Sequence, residues 1–192
     1  MPKLNTTTSG IITATLTADS SPTLDLQQNG VTIRTLGESQ LVQSTTQSTA
    51  TGATLYDFTG IPSWAKRITV MLNGVSTSST SNPLIQIGAA GSITASGYTS
   101  RGSYISGSTV GETSFTTGFG ILGGTATNTL TGHLVITNIS GNIWICSSVI
   151  GGNATWFSTG IVTLSGTLDR VRITTVNGTD TFDAGTVNIM WE

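Results

Sequence analysis

The chain has 192 residues, enough for one or two domains with a sizeable core. Only 8% of it is charged, against roughly 25% in an average globular protein, while about a third is Ser or Thr and 24 residues are Gly. A net charge of −2 with 7 scattered Lys and Arg offers no phosphate-tracking stripe and argues against a nucleic-acid partner, and a single cysteine, Cys146, permits no internal disulfide.

Residues 1–10, MPKLNTTTSG, are polar and are expected to be loosely held unless a partner fixes them. They show no basic region followed by an apolar block, so no secretory leader is expected. No apolar run approaches the ~20 residues of a membrane span, so a soluble protein made in the cytoplasm is expected. Ile11 to Ala18 alternates Ile12, Ala14, Leu16 and Ala18 with threonines, which predicts a strand. After a turn at Asp19–Pro22, Asn29-Gly30 separates two alternating runs and predicts a two-residue type I′ hairpin. That turn sets Gln28 opposite Val31, Leu26 opposite Ile33, Leu24 opposite Thr35, and Asp25 opposite Arg34. Three short strands with one apolar face cannot cover themselves. The cover expected for residues 11–36 is the same segment of other subunits or a docking surface on a larger assembly.

From Gly37 to Gly52 the chain is a Ser/Thr/Gln tract without apolar periodicity, read as a linker or a bridging strand. It divides residues 1–45, an N-terminal β anchor or shaft segment, from residues 46–192, a β head. The head opens with a short extended piece, Leu55–Phe58, and a Gly60-Ile61-Pro62 turn. A strand follows in which Ile68, Val70 and Leu72 alternate with Arg67, Thr69 and Met71 and which ends at Asn73-Gly74. Further strands are expected at Leu84–Ile87, around Ile93–Tyr98, and at Phe115–Ile121, Leu130–Thr137, Ile143–Ile150, Gly160–Leu164, Arg170–Val176 and Thr186–Trp191. Ser76–Thr80 and Gly97–Gly111 read as exposed loops. No helical period of useful length occurs. The fold class expected is therefore all-β, an antiparallel jelly-roll-like sandwich.

The residues supply little chemistry. One His and one Cys exclude in practice a metal site built on imidazole or thiolate. His133 stands on a strand face opposite Leu134 and Ile136, with no neighbouring Asp and no G-x-S-x-G elbow. Gly118–Gly123 matches G-x-G-x-x-G but opens no helix, so it reads as a glycine-rich bend. The 9 acids fall mostly in turns or at strand ends, Asp180 and Asp183 among them, and give no catalytic pair. Neither enzymatic activity nor a cofactor or metal is expected. The N-x-S/T sequons at Asn5, Asn138, Asn153 and Asn177 are chance in so Thr-rich a chain.

Large side chains in polar loops are the one hint of recognition. Tyr98, Arg101 and Tyr104 lie in a Gly/Ser-rich stretch, and Trp156 closely follows Gly151-Gly152-Asn153. Exposed aromatics there would stack on a sugar, with Arg101 gripping a hydroxyl or acidic group. Tyr104→Ala and Trp156→Ala would then weaken host adsorption and barely lower the melting temperature. The alternative is that these residues seal the sandwich ends or a subunit interface.

Tyr56–Ser76, YDFTGIPSWAKRITVMLNGVS, resembles a domain recurrent in tail fibres and other virion appendages of tailed bacteriophages. The ending is similar too: Trp156–Gly160, Leu164–Ile173, and Phe182–Ile189 leading to Met190-Trp191-Glu192. The N-terminal ATLTADSSPTLDLQQNGVTIRTL resembles the short β segments that precede such domains. The resemblance implies a jelly-roll-like head, homotrimeric assembly and exposure on the virion, with other virion proteins holding residues 1–40. A tail-fibre or receptor-binding appendage facing a host-surface glycan or protein is the function implied. About 50 residues precede the head, fewer than a long shaft needs, which keeps a capsid decoration or head-fibre protein as the alternative and a surface-glycan depolymerase behind it.

Overall fold

The structure, a computed structural model, describes the backbone of two strands, Leu24–Gln28 and Val31–Leu36, and residues 41–192 in full. The chain divides into two compact units, Met1–Ser39 and Gln40–Glu192. The strand expected at Ile11–Ala18 and the apolar side chains of residues 11–36 lie outside the described residues.

In the first unit β1 (Leu24–Gln28) pairs antiparallel with β2 (Val31–Leu36). Gln28 faces Val31 as the Asn-Gly spacing predicts. Beyond Gln27 the register shifts, so that Leu26 faces Arg34, Asp25 faces Thr35 and Leu24 faces Leu36. The expected partners Ile33, Arg34 and Thr35 are each displaced by one, because a bulge leaves Ile33 as the extra residue of its strand.

The second unit is an antiparallel β-sandwich. Its strands are β3 (Val42–Gln43), β4 (Gln47–Ser48), β5 (Tyr56–Thr59), β6 (Arg67–Thr77), β7 (Pro83–Ala89), β8 (Ser92–Ile93) and β9 (Thr99–Ser106). Then follow β10 (Thr109–Phe115), β11 (Phe119–Gly120), β12 (Leu130–Ser140), β13 (Ile143–Gly151), β14 (Thr155–Thr163), β15 (Leu168–Thr175) and β16 (Phe182–Trp191). The larger sheet runs β10-β9-β14-β13-β12-β6-β16, with β3 and β4 both on the far side of β16; the smaller runs β11-β7-β15-β5, with β8 beside β7. The pairing is nested: β6 joins β16, β7 joins β15 and β9 joins β14. This nesting gives the sandwich its jelly-roll-like character.

Period-2 alternation aims Ile68, Val70, Leu72, Leu134, Ile136, Trp144, Cys146, Val187 and Ile189 of the larger sheet at Phe58, Ile85, Ile87, Val171 and Ile173 of the smaller one. All are buried, and they form one contiguous core. Burial pushes the Cys146 thiol up to about 12, as a small apolar side chain's neighbourhood would.

One open alternative is settled and three expectations need correction. From Val42 the polar tract takes the bridging-strand alternative and not the linker: β3 and β4 pair with β16, and Asn188 Nδ2 donates to Ser44 O at 3.0 Å and Thr46 Oγ1 at 2.9 Å. Asn73-Gly74 does not end its strand, because β6 continues to Thr77 through a bulge. Gly74 has φ 62° and Gly185, its neighbour on β16, φ 91°; a Cβ on Gly185 would lie 2.4 Å from Gly74 O, so only glycine fits where the two irregularities meet. Ser76 and Thr77 are accordingly buried strand residues, not loop. Gly97–Gly111 is mostly the β9–β10 hairpin rather than an exposed loop. Gly102 is there for contact: a Cβ on it would come within 2.9 Å of both Gly120 O and the Phe115 ring.

Candidate functional site

The four residues singled out in the sequence do not converge. Tyr98 is 3% exposed; its hydroxyl accepts from Ile87 N at 2.9 Å and its ring meets Phe119 edge-on at 5.0 Å. Burial pushes its phenol up to about 12. It is a core residue and corrects the expectation of an exposed aromatic. Arg101 is exposed, but it points to the outer face of the larger sheet, where its Nη1 donates to Glu112 Oε1 at 2.8 Å. Tyr104 and Trp156 do meet, as register partners of β9 and β14 on the inner face. Trp156 is only 2% exposed, so its ring is a wall and not a stacking platform. Tyr104 is half-buried and lies across Gly111, where a Cβ would fall 2.3 Å from the ring.

This pair closes one side of a cleft of about 370 Å³. The β11–β12 connection forms the other side, drawn in by glycines. A Cβ on Gly123 would sit 3.4 Å from the Trp156 indole nitrogen, and one on Gly124 would sit 2.5 Å from Thr80 O. The Gly118–Gly123 run thus acts as a bend of close contacts, and it cradles no phosphate on a helix. Asparagines brace the cleft: Asn82 Oδ1 accepts from Gly124 N at 2.9 Å, Asn128 Nδ2 donates to Gly123 O at 2.9 Å, and Asn153 Nδ2 donates to Asn128 Oδ1 at 2.7 Å. No carboxylate, Lys, Arg or His lines it. Its chemistry is that of neutral hydrogen bonding beside an aromatic wall, with no nucleophile–base pair.

Two described acids away from the cleft, Asp180 and Asp57, are taken up in bonds of the fold. Asp180 accepts from Asn177 Nδ2 at 2.7 Å and Ser81 N at 2.8 Å, and these bonds lower its pKa. Asp57 holds Arg172 in a two-pronged pair, 2.7 Å at each prong. His133 is exposed on the outer face between Met71 and Val149, its register partners. Among the described residues no three His, Cys, Asp or Glu side chains stand close enough to hold a metal ion.

Sequence reasoning missed Asn82, Asn128 and Asn153 as a set. Asn153 alone carries a sequence signal, adjacency to the paired glycines Gly151-Gly152, the second of which lies against Trp156. Comparison with protein-family models, with curated proteins and with solved structures finds no match.

Proposed function

We propose that the chain is a structural protein of a tailed-bacteriophage virion, a tail-fibre or receptor-binding appendage that exposes its sandwich to the host surface. In this proposal it assembles as a homotrimer, held by other virion proteins through residues 1–40. The observation that carries the reading is where the resembling residues fall. Tyr56–Ser76 supplies β5 and most of β6, Leu164–Ile173 most of β15, and Phe182–Glu192 β16, so the likeness traces the paired strands that frame the sandwich. A surface of hydroxyls with few charges agrees with that role. Contact with a host glycan, if the head makes it, belongs to the neutral cleft beside Trp156 rather than to a ring of exposed aromatics. The cleft's lack of a carboxylate gives a depolymerase no acid–base pair.

The division of the chain into two compact units, Met1–Ser39 and Gln40–Glu192, also suits a second reading, a capsid decoration or head-fibre protein anchored by its N-terminal segment. Labelling the protein on intact particles and imaging them separates the two. Label at the tail, with purified protein slowing adsorption, is the expected result. Label on the capsid would replace the first reading with the second, and no label on particles would end both.

A further inference from the structure

Fixed partners orient the amide of each asparagine that lines the cleft beside Trp156. Gly124 N can donate only to an oxygen, so Asn82 turns Oδ1 toward it and Nδ2 away. Gly123 O can accept only from a nitrogen, which directs Asn128 Nδ2 there and leaves Asn128 Oδ1 to Asn153 Nδ2. Asn82 Nδ2 and Asn153 Oδ1 are then without a partner among the described residues, and so is the Trp156 indole N–H. These groups are not sealed in the core. The described side-chain atoms that are buried without a partner are Ser148 Oγ and Trp191 Nε1, whereas Asn153 is exposed and Asn82 half-buried. Trp156 itself is only 2% exposed, so an N–H that keeps access to water there opens on the cleft its residue lines. Two donors and one acceptor, none of them charged, thus border a space of about 370 Å³ whose apolar part is Leu122, Ala154 and the Tyr104 ring.

We propose that this cleft binds one neutral sugar ring, a pyranose unit of a surface glycan. Hydroxyls both donate and accept, so neighbouring ring hydroxyls can satisfy donors and an acceptor held in fixed places. A phosphate, sulfate or carboxylate would lose hydration here with no cation to replace it. A planar base needs an open aromatic face; Trp156 is too deep to offer one, and Gly111 lies against the Tyr104 ring. The volume falls at the small end of the ~300–1,000 Å³ of ligand sites, which suits one ring and not a chain. That the sugar comes from a glycan rests on the host-surface reading above.

The test is a ligand-observed NMR titration of the full chain with methyl glucoside, methyl galactoside and N-acetylglucosamine to ~50 mM, beside methyl glucuronide as the anionic control. The expected result is binding of at least one neutral sugar at ~1–10 mM and no binding of the glucuronide. Asn153→Ala removes the free acceptor and Thr125→Trp fills the cleft; both residues are exposed, so both variants should fold. Each should weaken the neutral sugar at least ~10-fold. A wild-type chain that binds no neutral sugar overturns the proposal. So does glucuronide bound equally well, or folded variants that both bind like the wild type. The virion reading fails separately. Particles labelled at the tail with no sugar bound would remove the cleft assignment alone, and sugar bound with no label on particles would remove the virion role alone.

Discussion

Trp156→Ala is the sharpest test of the cleft geometry. An exposed indole would be removed at little cost to stability, whereas the structure buries it to 2% exposure. A buried indole withdraws ~150–250 Å² from water, worth about 4–6 kcal/mol at ~25 cal/mol per Å². The walls around it cannot close in, because Gly123 and Gly152 already press on it through their backbones and Gly152 abuts Thr129 O. Water entering from the cleft offsets part of the cavity, so a loss of ~3–5 kcal/mol is expected. At ~2–4 °C per kcal/mol for a unit of this size, melting should fall by about 6–20 °C. Differential scanning calorimetry measures it, with Arg101→Ala as the exposed control that should move by no more than ~2 °C. A Trp156→Ala protein melting within ~2 °C of wild type would refute the buried-wall geometry and restore the exposed aromatic.

Other outcomes follow from single features. Tyr98→Phe removes the hydroxyl that serves both Ile87 backbone groups and should cost ~1–3 kcal/mol in urea melts. Both Tyr98 and Cys146 have folded pKa values raised to about 12, so the stability they give is full below pH 9.0 and falls as pH climbs toward 12; Cys146→Ala should flatten the lower part of that decline. Ser148 Oγ is buried without a partner, so Ser148→Ala should melt at the wild-type temperature or above it. Deleting residues 1–39 should leave a cooperatively melting β protein. Deleting residues 1–48 also strips β3 and β4 from β16 and should melt measurably lower by circular dichroism.

The sandwich was legible where side chains alternate in size. Ile68-Val70-Leu72 and Val187-Ile189 mark β6 and β16 because apolar and polar residues take turns on a strand with one buried face. β9 and most of β10 escaped because their inward positions are Ser100, Gly102 and Gly111, residues that fill a sheet only by lying under Phe115 and Tyr104. Composition alone makes such a stretch look like loop. Asn73-Gly74 misled for a related reason, since the left-handed backbone it favours serves a bulge as well as a turn. Pairing Tyr104 with Trp156 was within reach, but their depth was not, since the glycines of the β11–β12 connection bury Trp156 and lie some 30 residues away in sequence. That Val149 and Ile161 face out was invisible for the same reason, since it requires the register of the larger sheet.

The nested pairing also dictates when the protein can fold. β16, the last of these strands to leave the ribosome, sits inside the larger sheet, with β6 on one flank and β3 and β4 on the other. Until Phe182–Trp191 emerges, β6 has an open edge and Ile68, Val70 and Leu72 lack Val187 and Ile189 beside them. Completion of the sandwich is therefore deferred until β16 has emerged, and the long chain closures it then needs place folding in the slow, millisecond-to-second class of all-β topologies. A nascent chain stalled before residue 182 would display an unpaired strand, the species most prone to aggregate.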